Sequence, residues 1–184
     1  TIYFSEIDMT GLQGMYKYSK QKKFYKYMGG LKPHQHIGET KEYIELLIDR
    51  MDNGYKNGLA KYWFIRLVKS DDVIGSMGLI GLNSKTKIAE IGYGLSPDYW
   101  GSGIIFEMLY NIINYSFRVL GLKKLIAVAK IDNKRSIDVL KYCGFKNKFN
   151  SSNTIGEITL TLDNKNNNSK ILIISKILNQ NWEF

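Results

Sequence analysis

Tyr99-Trp100-Gly101-Ser102-Gly103-Ile104-Ile105-Phe106-Glu107 joins a β-branched strand pattern before it to an amphipathic helix pattern that begins inside it. Glycines at such a junction let backbone N–H groups turn toward an anion with no Cβ in the way. The first turn of the new helix adds unpaired donors and a partial positive charge. The stretch therefore reads as a phosphate cradle, although a Gly-x-Gly also serves ordinary turns, so its flanks decide. Upstream, Lys87-Ile88-Ala89-Glu90-Ile91-Gly92-Tyr93-Gly94-Leu95-Ser96-Pro97 is a strand closed by a proline that cannot donate to a sheet. Its two internal glycines mark a bulge or a close backbone approach, leaving polar groups near Gly94 and Leu95 available to a ligand. Downstream, Ile105, Met108, Leu109, Ile112, Ile113, Phe117 and Leu120 recur on one helix face until Gly121 stops it. A strand over 122–131 follows, then a short helix from Asp132 or Asn133 to Cys143-Gly144-Phe145.

Outward from this unit, the chain opens with a strand over 2–7 and with Asp8 as the cap of a helix through Leu12, Met15 and Tyr16. The segment 24–38 is rich in aromatic residues, glycine and histidine. Thr40 is the expected cap of the next helix, whose Tyr43, Ile44, Leu46, Leu47, Ile48 and Met51 form a broad apolar face before Gly54. Strands over 60–68, 73–82 and 86–95 are separated by Ser70-Asp71-Asp72 and Asn83-Ser84-Lys85, the short polar connections of an antiparallel meander. Two further strands are expected over 154–162 and 170–178, with a polar, exposed, mobile loop over 163–169 between them. The sum is an α/β (α+β) chain of about seven strands and about four helices.

A Rossmann dinucleotide fold fails on detail, because the third glycine of its fingerprint is missing and a meander stands where the opening βαβ unit belongs. The motifs instead resemble the GNAT superfamily of acetyl-CoA-dependent N-acetyltransferases, in the branch resembling ribosomal-protein N-terminal acetyltransferases. Glu90-Ile91-Gly92-Tyr93, Tyr99-Trp100-Gly101-Ser102-Gly103 with Glu107, Asn133-Lys134-Arg135-Ser136 and Gly144-Phe145 follow that branch's motifs in order and spacing. Trp100 through Ile105 corresponds to the superfamily's cradle, with Trp100 at its first position and Ile105 where glycine or alanine is usual.

The resemblance implies a GNAT-like fold, a mixed, strongly twisted sheet of about seven strands flanked by about four helices, with acetyl-CoA as cosubstrate and no metal. It implies cofactor contacts from Gly94, Leu95, Ser96, Gly101, Ser102, Gly103, Ile104, Ile105, Phe106, Asn133 and Ser136. It further implies direct attack of a primary amine on the thioester, with an exposed strand N–H near Gly94 or Leu95 polarising the carbonyl. Such attack needs a deprotonated amine and a stabilised oxyanion. Glu90 is the candidate base, directly or through water; the other reading of Glu90 is a solvated strand carboxylate paired with a lysine. The tyrosine that many relatives use as general acid falls here on Leu140. Tyr142 lies two residues on and points to roughly the opposite side of the helix, which leaves Tyr93 and Ser136 as substitutes. The acceptor is a protein N-terminus or an amine on a small metabolite or amino sugar. The alternative is a non-catalytic acyl-CoA-binding or assembly module with a degenerate site, motivated by Ile105 and Leu140.

The 184 residues carry no proline-rich linker or break in composition, so one domain over 1–184 is expected. No apolar run reaches the length of a membrane span and no secretory signal opens the chain, so a cytoplasmic protein is expected, with no membrane partner. Cys143 is the lone cysteine and reads as a helix-end packing residue. His34 and His36 lack a carboxylate or cysteine set beside them and read as solvated loop residues rather than metal ligands. The formal net charge of +9 comes without a dense basic helix or an RNA-binding aromatic signature, which argues against specific nucleic-acid binding. That charge attracts an anionic cofactor and favours a neutral or acidic acceptor over a polycation. A monomer or a homodimer fits the chain equally.

Overall fold

The short polar connections do form tight turns. Asn83 Oδ1 accepts from the N–H groups of Lys85 and Thr86 at 2.9 Å each, and Asp71 adopts a φ of 62°. In this computed structural model residues 1–28, 30–148 and 155–166 are described. The strands are β1 (Ile2–Glu6), β2 (Leu59–Leu67), β3 (Val73–Asn83), β4 (Ile88–Leu95), β5 (Lys124–Lys130), β6 (Lys146–Asn147) and β7 (Glu157–Asp163). They form one mixed sheet in the order β1-β2-β3-β4-β5-β7-β6. The expected strand over 170–178 lies outside the described residues, as does most of the loop before it; Asn164–Asn166 make a 3-10 turn. The two-residue β6 had no legible sequence signal.

Both faces of the sheet are covered. Phe64 and Ile65 are neighbours on β2, so they point to opposite faces, and each is 0% exposed. Phe64 belongs to a core with Met15 and Tyr18 of α1 (Leu12–Ser19) and Ile44 and Leu47 of α2 (Ile37–Asn53). Ile65 belongs to a second core with Met108, Leu109, Ile112 and Ile113 of α3 (Ile104–Asn114) and Leu140 of α4 (Lys134–Tyr142). Each such side chain contributes about 1.5–3 kcal/mol on burial, so the three-and-four spacing read along α3 is the spacing of its buried stripe. Beyond Asn114 the helix widens into a π-helical turn, Tyr115–Val119, before Gly121.

Two helix starts differ from expectation. Asp8 caps a 3-10 turn, Met9–Gly11, that leads into α1, and Asp8 Oδ1 accepts from Thr10 N at 2.9 Å. Thr40 is not a cap: α2 begins at Ile37 behind an extended His36, and Thr40 is buried in the first turn. Its hydroxyl is instead used by His34 Nδ1 at 2.7 Å.

The parallel pair at the centre of the sheet comes apart. Ile88–Ile91 of β4 pair with Lys124–Ala127 of β5, and there the pairing ends. β5 continues against β7 as far as Lys130 opposite Glu157, while Gly92–Leu95 continue against β3. A crevice therefore opens between the C-terminal ends of β4 and β5, where α3 and α4 begin. Ligands of open α/β sheets bind at such places.

Candidate active site

Which backbone groups face the crevice follows from the ladder. Ser96 N donates to Ile74 O of β3 at 2.7 Å. Direction alternates along a strand, so the polar groups of Gly94 and Gly92 also face β3, while those of Tyr93 and Leu95 face the crevice. Trp100 confirms this direction, because its Nε1 donates to Leu95 O at 2.8 Å. Of the strand groups read from the sequence, the open donor thus belongs to Leu95. Ser96 is buried and its hydroxyl lies 3.4 Å from Asp98 Oδ2.

After the 3-10 turn Pro97–Tyr99 the chain enters the cradle. Gly101 and Gly103 have φ of 82° and 84°, a region that costs an ordinary L-residue about 1–2 kcal/mol. A Cβ built on either would meet nothing within 4 Å. Gly103 is the N-cap of α3 and offers no side chain to its first turn. Ser102 Oγ is occupied with Tyr99 O at 2.6 Å, and Phe106 N bonds back to Gly103 O at 3.0 Å. Among the described residues, the N–H groups of Gly101, Gly103 and Ile105 have no backbone or side-chain acceptor. A row of unpaired donors over Cβ-free space at a helix N-terminus fits a pyrophosphate. Ile104, Ile105 and Phe106 are half-buried and pack against the α3 core, so the branched side chain at Ile105 is partly absorbed by the protein.

Glu107, legible as part of the motif, turns away from the crevice. Its carboxylate is 3% exposed and takes Ile2 N at 3.1 Å together with the Thr1 hydroxyl. It fastens β1 to α3.

Across the crevice, Asn133 caps α4 by accepting from Ser136 N at 3.3 Å. Ser136 Oγ lies 2.8 Å from Tyr93 Oη. Burial pushes the Tyr93 phenol up to about 12, against a smaller opposite effect of the Ser136 hydrogen bond, so it holds its proton at neutral pH. The two substitutes for the absent helix tyrosine are therefore in contact. Leu140 is buried, and Tyr142 stacks edge-on with Phe106 at 5.2 Å.

Glu90 shares a face of β4 with Gly92 and Gly94, the face turned to α1 and α2. At strand rise its Cα is about 13 Å from that of Gly94, beyond direct reach of a group bound beside Leu95. Lys56 Nζ lies 3.0 and 3.1 Å from its two oxygens. Over Gly94 sit Phe24 and Met28, whose tips come within 2.8 and 3.2 Å of where a Cβ would be. A lysine pairing was the other reading of Glu90 from the sequence, though not with Lys56 by number, and the cover comes from the aromatic-rich segment over 24–38. Which strand the segment before β2 approaches is a long-range fact that no local pattern carries. His34 is pushed below its ordinary value by burial, and His36 lies 3.5 Å from Glu39. Among the described residues no set of His, Cys, Asp and Glu could hold a metal.

A sheet split between two parallel strands, with a glycine turn at one helix start and an asparagine cap at the other, defines an α/β protein with an open crevice at the C-terminal ends of those strands. More narrowly, residues 4–146 match the acetyltransferase (GNAT) domain, and the chain belongs to that family. It is 34% identical over 84 residues to the uncharacterized N-acetyltransferase YoaA of Bacillus subtilis (strain 168), covering 46% of this chain and 48% of that protein. It is 31% identical over 91 residues to the ribosomal-protein-serine acetyltransferase of Escherichia coli (strain K12), covering 50% of each. These matches span about half the length of the curated relatives. RimL, the ribosomal L7/L12 alpha-N-protein acetyltransferase solved with coenzyme A, has the same fold, with a TM-score of 0.74 at 17% identity over 89% of this chain and 94% of that one. Among the described residues no helix is long and apolar enough to cross a membrane.

Proposed function

We propose that this chain transfers the acetyl group of acetyl-CoA to a primary amine by direct attack. The observation that carries the reading is the juxtaposition of the open Leu95 N–H with the uncapped start of α3 on one side of a split parallel pair. Bound there, acetyl-CoA supplies an acyl group already activated as a thioester. Gly101, Gly103 and Ile105 hold the pyrophosphate by backbone donors, and Asn133 borders the pantetheine path. Leu95 N–H donates to the thioester oxygen as negative charge builds on it, an effect that depends on the donor being fixed beforehand. Glu90 takes the proton of the attacking amine through water, given the length of strand between them. The Ser136 hydroxyl, held by the Tyr93 phenol at 2.8 Å, donates a hydrogen bond to the departing thiolate, which takes its proton from solvent. No covalent bond to the protein forms.

For the acceptor, the net charge of +9 weighs against polycations such as polyamines. The E. coli relative's name points to a serine of a ribosomal protein, and that of RimL to a protein α-amine. The test is calorimetric titration with acetyl-CoA, followed by release of free thiol in the presence of peptides with a free N-terminus, an amino sugar or spermidine. Binding plus turnover on a peptide or amino-sugar amine is expected. Binding without turnover on any of them would make the chain a cofactor-binding module instead.

A further inference from the structure

We infer that Lys56 is a positioning residue for Glu90, an inference that rests on the reading of Glu90 as the base. The ammonium reaches both carboxylate oxygens, at 3.0 and 3.1 Å, and the backbone around it is shaped for that reach. Lys56 and Asn57 form the two-residue tip of a tight turn closed by the Tyr55–Gly58 bridge, with φ of 53° and 59°. Asn57 suits the left-handed region. A lysine there is strained, where glycine or asparagine would not be.

The turn is seated on β3, backbone against backbone. A Cβ on Gly58 would fall 2.6 Å from Gly81 C, and one on Gly81 would fall 3.1 Å from Lys56 O. Gly81 itself has a φ of 62°. The registers of β2 with β3 and of β3 with β4 both slip at this level, between Leu59 and Lys61 and between Ile80 and Asn83. Behind the turn, Arg50 lies 3.9 Å over the Tyr55 ring. Two slipped registers, two glycines and a strained lysine thus converge on one ammonium.

What the ammonium holds is otherwise unconstrained. Toward the crevice the next position on the same face of β4 is Gly92, where a Cβ would touch only Ile80, at 3.5 Å, and beyond it lies Gly94 under Phe24 and Met28. Held by one cation at both oxygens, the carboxylate keeps a fixed orientation beside the open surface of Gly92, where it can order the water that leads past the Phe24 and Met28 cover to the crevice. A half-exposed ion pair by itself contributes little to stability, so the expected consequence is catalytic rather than structural.

The experiment measures kcat, acceptor KM, acetyl-CoA Kd and thermal unfolding for the parent protein and for E90Q, K56M, K56R and E90Q/K56M. E90Q is expected to lose about 100-fold in kcat, the scale of general-base catalysis. K56M is expected to lose about tenfold in kcat with acetyl-CoA Kd and thermal midpoint unchanged, K56R to recover most of it, and K56M to cost nothing further in the E90Q background, as for residues acting as a unit. Wild-type kcat in K56M, or an equal loss in both backgrounds, overturns the positioning role while leaving Glu90 as base. Wild-type kcat in E90Q overturns the base itself, and the positioning role with it.

Discussion

Replacing Gly103 by alanine separates the cradle's two properties, its backbone conformation and its empty space. Gly103 has φ 84° and ψ −11°, so alanine pays the left-handed penalty of about 1–2 kcal/mol. It meets no steric obstacle, since nothing lies within 4 Å of the added Cβ. For a chain of this size that energy lowers the thermal midpoint by about 2–8 °C. Gly121 provides the control: its φ is 62° and the space around its Cβ is equally empty, but it lies beyond the far end of α3. Gly121→Ala should therefore lose similar stability. In Gly103→Ala alone, the methyl group enters the space over the helix start. Disturbing one or two charge-assisted hydrogen bonds to a pyrophosphate costs about 1.5–3 kcal/mol, which is about 10–150-fold in Kd. Calorimetric titration with coenzyme A, beside thermal unfolding of both variants, reads the two effects separately. If Gly103→Ala binds coenzyme A with the affinity of Gly121→Ala, the cradle is not where the pyrophosphate sits.

Two further outcomes follow from other parts of the site. Tyr93 is raised by burial from its ordinary 10.0 to about 12, so above pH 10 the unfolded chain releases a proton the folded chain keeps. The contribution of Tyr93 is full below pH 10 and falls by about 1.4 kcal/mol per unit toward pH 12, beside those of Tyr18, Tyr25, Tyr43 and Tyr62, which burial also raises. Tyr93→Phe should lessen the alkaline slope by that amount in denaturant titrations at pH 9 to 12, and an unchanged slope would mean that Tyr93 is not a buried, neutral phenol. Glu107→Ala leaves the buried Ile2 N–H without its acceptor, a loss of about 1–3 kcal/mol. A lower thermal midpoint with unaltered coenzyme A affinity is expected, and weakened binding would return Glu107 to the cofactor site.

Much of this was legible in local pattern because local physics fixes it. The glycine junction, the apolar stripe of α3 and the Asn133 cap each depend on residues within one or two turns, and each is found where the sequence puts it. Thr40 misled because a threonine before an apolar run resembles a cap, whereas here its hydroxyl is taken by His34 across the loop. Gly94, Leu95 and Ser96 could not be told apart from sequence, since a register change of one residue exchanges which groups face the crevice. Lys56 meets Glu90 across 34 positions of chain, and a pair so distant leaves no short-range periodicity to read.

The role of Trp100 follows from the same register. Leu95 turns both of its backbone groups toward the crevice, one donor and one acceptor, because the two leave a strand residue on the same side. A thioester oxygen gaining negative charge is stabilised by the donor and repelled by a free carbonyl beside it. Trp100 Nε1, 2.8 Å from that carbonyl, satisfies the acceptor from within the protein and leaves the N–H for the ligand. The same bond ties the start of the cradle to the end of β4, so the groups meant for the two ends of one ligand are fixed relative to each other before it arrives. An unpaired N–H in a partly dry crevice costs about 1–3 kcal/mol, a cost that is recovered when an oxygen takes the position. On the proposed chemistry, that difference is larger for the charged oxygen of the transition state than for the ground-state carbonyl, which is the condition for accelerating the reaction rather than merely binding its substrate.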